Sequence, residues 1–134
     1  VIEQPPESGE YHLVALFGML HHIPGYDRRQ AFLRALAGRV APGGLLAFAA
    51  WRFYDFARFR ERIVPWPDDI QVESHDYLLD WRRDTPALRY CHYVDEAEHA
   101  ALSAATGLAE VAAFRADGET GDMNQYSLLR KERP

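Results

Sequence analysis

The histidines, the lone cysteine and a cluster of aromatic residues are the side chains here that are able to do chemistry. His21 and His22 are adjacent and follow a glycine. Such a pair can act as a base, as a metal ligand or as packing. Neighbouring histidines seldom converge on one ion, and no carboxylate or thiolate partner stands at metal-ligand spacing, so no metal site is expected. Glu96 and His99 have the helical spacing of a carboxylate metal site, but that architecture needs a second copy and two further glutamates. They are expected on a solvated helix face. Cys91 and His92 have the residue types of a nucleophile and its base. On a strand, adjacent side chains point to opposite faces, so the two cannot form a dyad with each other. Cys91 is the single cysteine of 134 residues, which excludes an intrachain disulfide and the usual thiolate metal sites.

Other chemistries lack their motifs. There is no G-x-S-x-G elbow, no P-loop and no G-x-G-x-x-G fingerprint. Ten aromatic residues crowd positions 51–93: Trp51, Phe53, Tyr54, Phe56, Phe59, Trp66, Tyr77, Trp81, Tyr90 and Tyr93. They fit either the core of a small lid or the wall of a substrate pocket.

The elements that would position these groups follow from local pattern. Tyr11–Phe17 (YHLVALF) is a near-continuous apolar run, as in a strand buried on both faces of a parallel sheet. Asp27 and Gln30 have the form of a capping box, and Phe32, Leu33, Leu36, Ala37 and Val40 recur at helical spacing. Pro42-Gly43-Gly44 is expected to stop that helix. Leu45–Ala50 (LLAFAA) is a second strand. Strand, helix and strand make a right-handed parallel unit. Residues 54–63 read as a short helix and residues 76–83 as a short aromatic segment. Leu88–Val94 is β-rich. Asp95 and Glu98 form a second capping box, opening a helix that stops at Gly107. Leu108–Arg115 and Asn124–Leu129 are strands joined by a short link without a helix, so they are expected to pair antiparallel. Residues 1–10, with Pro5-Pro6 and Gly9, read as a linker, and residues 51–86 as an insertion on the substrate side.

In an open parallel sheet, ligands bind beyond the carboxyl ends of the strands. Those ends are Phe17-Gly18-Met19-Leu20-His21-His22-Ile23 and Ala50-Trp51-Arg52-Phe53. Gly18 fits either close approach by a ligand or a sharp turn.

The string YHLVALFGMLHHIPG, an amphipathic helix and then VAPGGLLAFAAW resemble the fourth strand, following helix and fifth strand of class I S-adenosylmethionine-dependent methyltransferases. The resemblance covers residues 11–127 and is loose over 54–86. It implies an α/β fold, the C-terminal half of a doubly wound Rossmann-like methyltransferase sheet, with parallel strands plus an antiparallel pair at the C-terminus. It makes residues 1–134 one partial domain. S-adenosylmethionine is the implied cofactor, with Phe17, Gly18, Met19 and Leu20 lining its cleft. His22 is the implied catalytic base and His92 the second candidate. Trp51, Arg52, Trp81 and Tyr90 are implied to face substrate. The segment His75–Trp81 followed by Arg89–His92 is similar to methyltransferases that esterify a carboxymethylated wobble uridine in tRNA, with Asp80 where that family has a proline. The family's glycine-rich loop and ribose-binding acid have no counterpart here. The expectation is methyl transfer by a parent enzyme, this chain alone being inactive and a weak cofactor binder. A non-catalytic α/β fragment or binding module that self-associates through an open sheet edge is the alternative.

Composition bounds the partners. Net charge is −5, and the cationic residues are arginines apart from Lys131. That balance disfavours a nucleic-acid face, although Arg58, Arg60 and Arg62, and Arg82 with Arg83, form local clusters. A small molecule or a tRNA remains the expected methyl acceptor. No apolar run approaches the roughly 20 residues of a membrane span, so a cytoplasmic protein is expected, not a membrane one.

Overall fold

The computed structural model describes residues 9–81, 85 and 87–134. Most of the expected linker, and the Arg82-Arg83 cluster, lie outside the described residues. Among the described residues, seven strands form two sheets, accompanied by three α-helices. The larger has the order β1-β2-β7-β6, from β1 (Tyr11–Leu16), β2 (Val40–Trp51), β7 (Asn124–Arg130) and β6 (Ala109–Ala116). β1 and β2 run parallel. β7 inserts between β2 and β6 and is antiparallel to both.

Helix α1 (Tyr26–Ala37) is the crossover between β1 and β2, and α3 (Glu96–Ala105) packs beside it. Strand alternation sends Leu46, Phe48 and Ala50 into one core with Leu16, Leu33, Leu36, Leu102 and Leu129. Burying these side chains is the main stabilising term, at about 1.5–3 kcal/mol for each large one.

Three local expectations are corrected. Asp27 and Gln30 do not cap α1: the helix starts at Tyr26 after Gly25, with no side-chain cap. Asp27 instead sits in the first turn, where its charge suits the helix dipole. The helix stops at Gly38, before Pro42-Gly43-Gly44. Those three residues lie inside β2, at a break in its pairing with β1 where Tyr11 meets Val40 but Leu13 meets Leu45. A Cβ on Gly44 would lie 2.9 Å from the carbonyl oxygens of both Ala41 and His12, so only glycine allows the two backbones to meet there. β1 is not buried on both faces. It is an edge strand, with Leu13 63% exposed and Phe17 beyond it 53% exposed.

The second sheet has the order β3-β4-β5 and is antiparallel: β3 (Ile63–Val64), β4 (Asp76–Asp80) and β5 (Leu88–His92). The expected helix over 54–63 divides into a 3-10 turn at Phe53–Asp55, the four-residue α2 (Ala57–Arg60) and β3. This second sheet runs to His92, past the expected insertion boundary at 86, and has its own core of Phe53, Phe59, Leu79, Cys91 and Tyr93. No helix of the described residues is long and apolar enough to cross a membrane.

Candidate active site

The carboxyl ends of β1 and β2 meet the second sheet at a cleft of about 310 Å3, counting space open to solvent. His21, His22 and Trp51 form the side toward the main sheet. Leu79, Trp81 and Cys91 form the side toward the insertion, and Arg89 completes the lining. Aromatic residues thus supply both a core for the second sheet and a wall of the cleft. Trp51 and Trp81 pack on the insertion core and also wall the cleft, their rings at 78° and 6.3 Å apart.

His21 and His22 are placed by a 3-10 turn, Leu20–His22, that follows Gly18. Gly18 has φ +69°, which glycine adopts without strain, and a Cβ there would meet nothing within 4 Å. The turn conformation, not internal crowding, calls for glycine, and the space beside it is open. The His21 ring packs against Trp51 at 5.2 Å and against His22 at 4.0 Å. His21 is 8% exposed and its Nδ1 is buried without a hydrogen-bond partner among the described residues. Burial, aided by the neighbouring His22, pushes its pKa down to about 3, so it is a neutral imidazole at neutral pH. His22 is exposed, with Nδ1 3.4 Å from the Tyr90 carbonyl. If that contact is a donated N–H, the lone pair sits on Nε2.

β5 distributes its side chains by alternation. Arg89 and Cys91 face the cleft, whereas Tyr90 and His92 face a buried polar network. The adjacent Cys91 and His92 therefore lie on opposite faces, as strand geometry requires. The Tyr90 hydroxyl donates to Asp76 Oδ1 at 2.7 Å. His92 is 1% exposed, with Nδ1 2.6 Å from Asp76 and Nε2 3.0 Å from Glu98. Burial alone lowers its pKa, but hydrogen bonds to Glu98 and Asp76 outweigh burial and raise it. Both ring nitrogens are engaged, and His92 does not line the cleft.

Arg29, on α1, completes this network. It is fully buried and bonds to Glu73, to Glu98 at 3.2 Å and to the Ile23 carbonyl at 2.8 Å. Glu73, Asp76 and His92 lie close enough together to suggest a metal site. The Arg29 guanidinium already neutralises Glu73 there. The network ties α1, α3, β4 and β5 together beneath the cleft. A trace of it is visible in the sequence: Arg29 stands four residues before Leu33 and seven before Leu36, within the apolar stripe of α1.

His99 is also corrected. It is not on a solvated face but is 6% exposed, stacked on Phe48, with Nε2 2.7 Å from the Ser127 hydroxyl. Burial lowers its pKa to about 4. Asp95 caps α3 as expected, accepting from the Glu98 backbone N–H at 2.8 Å, but the Glu98 carboxylate turns to Arg29 and His92.

The other expected site residues sit as follows. Phe17 is exposed, its ring set edge to face on Tyr126 with centroids 5.5 Å apart. Met19 packs partly against the core, and Leu20 is wholly buried in it, leaving a ligand no side-chain surface at that position. Arg52 is 6% exposed. It pairs with Asp55 at 3.2 Å and lies over the Tyr93 ring, so it fastens the insertion and is not among the cleft's lining residues.

This architecture has clear counterparts among solved structures. An S-adenosylmethionine-dependent methyltransferase from Methanosarcina mazei superposes with a TM-score of 0.69 at 14% identity, over 94% of this chain and 61% of its own. The chain has the fold of these methyltransferases. A second, from Clostridium acetobutylicum, gives 0.68 at 12% identity over 98% of this chain and 63% of its own. An amino pentose methyltransferase of Micromonospora echinaspora, solved with bound S-adenosylmethionine, gives 0.61 at 16% identity over 98% and 62%. The chain thus spans less than two thirds of the length of these methyltransferases. No protein-family model matches the sequence, and no curated protein matches it. The likeness to wobble-uridine methyltransferases finds no support in these comparisons.

Proposed function

We propose that this chain forms the acceptor side of an S-adenosylmethionine-dependent methyltransferase. The observation that carries the reading is the convergence of His21, His22 and Trp51 at the carboxyl ends of the two parallel strands, beside Gly18. That is where an open α/β sheet takes its ligand. The methyltransferase fold of the neighbours supports it.

The residues at the end of β1 fit one side of the cofactor. Phe17 offers an exposed ring, and Gly18 offers backbone with open space beside it. The glycine-rich loop and the acid that holds the ribose are absent from the sequence, so a segment outside these 134 residues would supply them. When bound, the cofactor would supply an electrophilic methyl carbon on a sulfonium to the acceptor's lone pair, with the sulfide as leaving group. Trp51 and Trp81 orient the acceptor and exclude water from it. His22 Nε2 takes the proton of an acceptor that must lose one. A carboxylate acceptor needs no such step.

The test is methyl transfer in the full-length protein with His22 replaced by alanine. We expect turnover to fall about 10²-fold or more, with cofactor affinity little changed. Equal turnover would remove His22 from the chemistry.

The exposed Leu13 and Phe17 favour a second reading for the chain on its own: self-association through β1, whose outer edge has no paired strand among the described residues. Sedimentation at rising concentration is expected to show dimers that Leu13→Lys abolishes. A monomer throughout would exclude this.

A further inference from the structure

The cleft also carries information about what it accepts. Resting on the methyl-transfer reading above, we infer that the acceptor is a planar aromatic molecule bearing an anionic group, which Arg89 holds and which is distinct from the atom that takes the methyl. Three observations point the same way. None of the seven residues lining the cleft is acidic, although the chain as a whole carries −5. The lining's one guanidinium is that of Arg89. It lies at the exposed end of β5, 5.9 Å from the centre of the Trp81 ring, and has no carboxylate partner among the described residues. Arg62 lies over the same ring at 5.0 Å, which adds positive potential on that side.

Shape gives the second half of the inference. Trp51 and Trp81 both line the cleft and offer it aromatic surface, which favours a flat ring over an aliphatic ligand. The cleft is small and opens to solvent, so it suits a small ring system that lies partly exposed at its mouth. The floor is uncharged: burial pushes the Cys91 thiol up to about 11 and holds His21 down at about 3. A cationic acceptor would have to desolvate against that neutral floor with a guanidinium at the mouth. An anion gains a charge-assisted hydrogen bond from Arg89 at the same place.

Calorimetric titration of the chain at pH 7.5 with 1-naphthoate, 1-naphthamide and 1-naphthylmethylammonium tests this. The naphthoate is expected to bind at least tenfold more tightly than either analogue. Arg89→Gln, an exposed change that spares the core, should remove that preference while leaving naphthamide affinity within about twofold. Equal affinities, a preference for the cation, or no binding by any of the three would overturn the inference. So would an Arg89→Gln variant that kept the anion preference. The titrations contain no cofactor, so the outcomes separate. Anion preference without labelled methyl transfer by the full-length protein would sink the methyltransferase reading alone. Methyl transfer to a neutral or cationic acceptor would sink the anion inference alone.

Discussion

Mild acid should destabilise this domain through two histidines that the fold holds neutral. Burial lowers His21 to about 3, with the His22 charge adding to it, and lowers His99 to about 4, with Arg52 adding. Unfolded, each titrates near 6.5. Because their folded pKa values are depressed, the stability they contribute is complete above pH 6.5. It is lost as pH falls from there toward 4 and 3. His92 behaves oppositely. Its pKa is raised, so its contribution is complete below 6.5 and declines only as pH rises through the folded value. Below 6.5 it therefore does not offset the other two. At pH 5 the unfolded chain binds two protons that the native state refuses, which costs about 2 kcal/mol each and about 4 kcal/mol together. A small domain has about 5–15 kcal/mol in total, so this is a large fraction. The assay is urea unfolding followed by circular dichroism at pH 7.5, 6.5, 5.5 and 5.0. The midpoint should drop steeply over the last three. His99→Gln keeps a donor for Ser127 and should roughly halve the pH dependence. A midpoint that stays level from pH 7 to pH 5 would refute the claim that both imidazoles are buried and neutral.

Two further perturbations probe the same architecture. Arg29→Met leaves Glu73 and Glu98 without their buried cation, and should cost about 3–5 kcal/mol in urea unfolding; a loss under 1 kcal/mol would show that solvent already reaches the network. Gly18→Ala forces a side chain into φ +69° with no clash to relieve, so differential scanning calorimetry should show a loss of about 1–2 kcal/mol.

The alternation of apolar strands with an amphipathic helix is legible in the sequence because periodicity reports directly on burial. The strand–helix–strand unit, the Asp95 cap and the antiparallel β6–β7 pair all come from such local signals. The Pro42-Gly43-Gly44 run is ambiguous locally. Gly44 is required by a backbone approach to β1, a tertiary fact that no helix-stop rule contains. The insertion is harder still, since β3 has only two residues and pairs with a strand distant in sequence. Within the site, His22, Trp51 and Trp81 do converge on the cleft. Tyr90 and His92 are carried away from it by the alternation of β5, and Arg52 by its pairing with Asp55. His21 and Arg29 are the residues that spacing undervalues, because their importance comes from burial and partners contributed by other elements.

Methyl transfer at this site requires that the end of β1 face S-adenosylmethionine. Ultraviolet crosslinking of methyl-labelled S-adenosylmethionine to the full-length protein, followed by peptide mapping, tests that most directly. The expected result is label on the peptide carrying Phe17, Gly18 and Met19, competed away by S-adenosylhomocysteine. No specific label, or label confined to the β6–β7 end of the sheet, would contradict it.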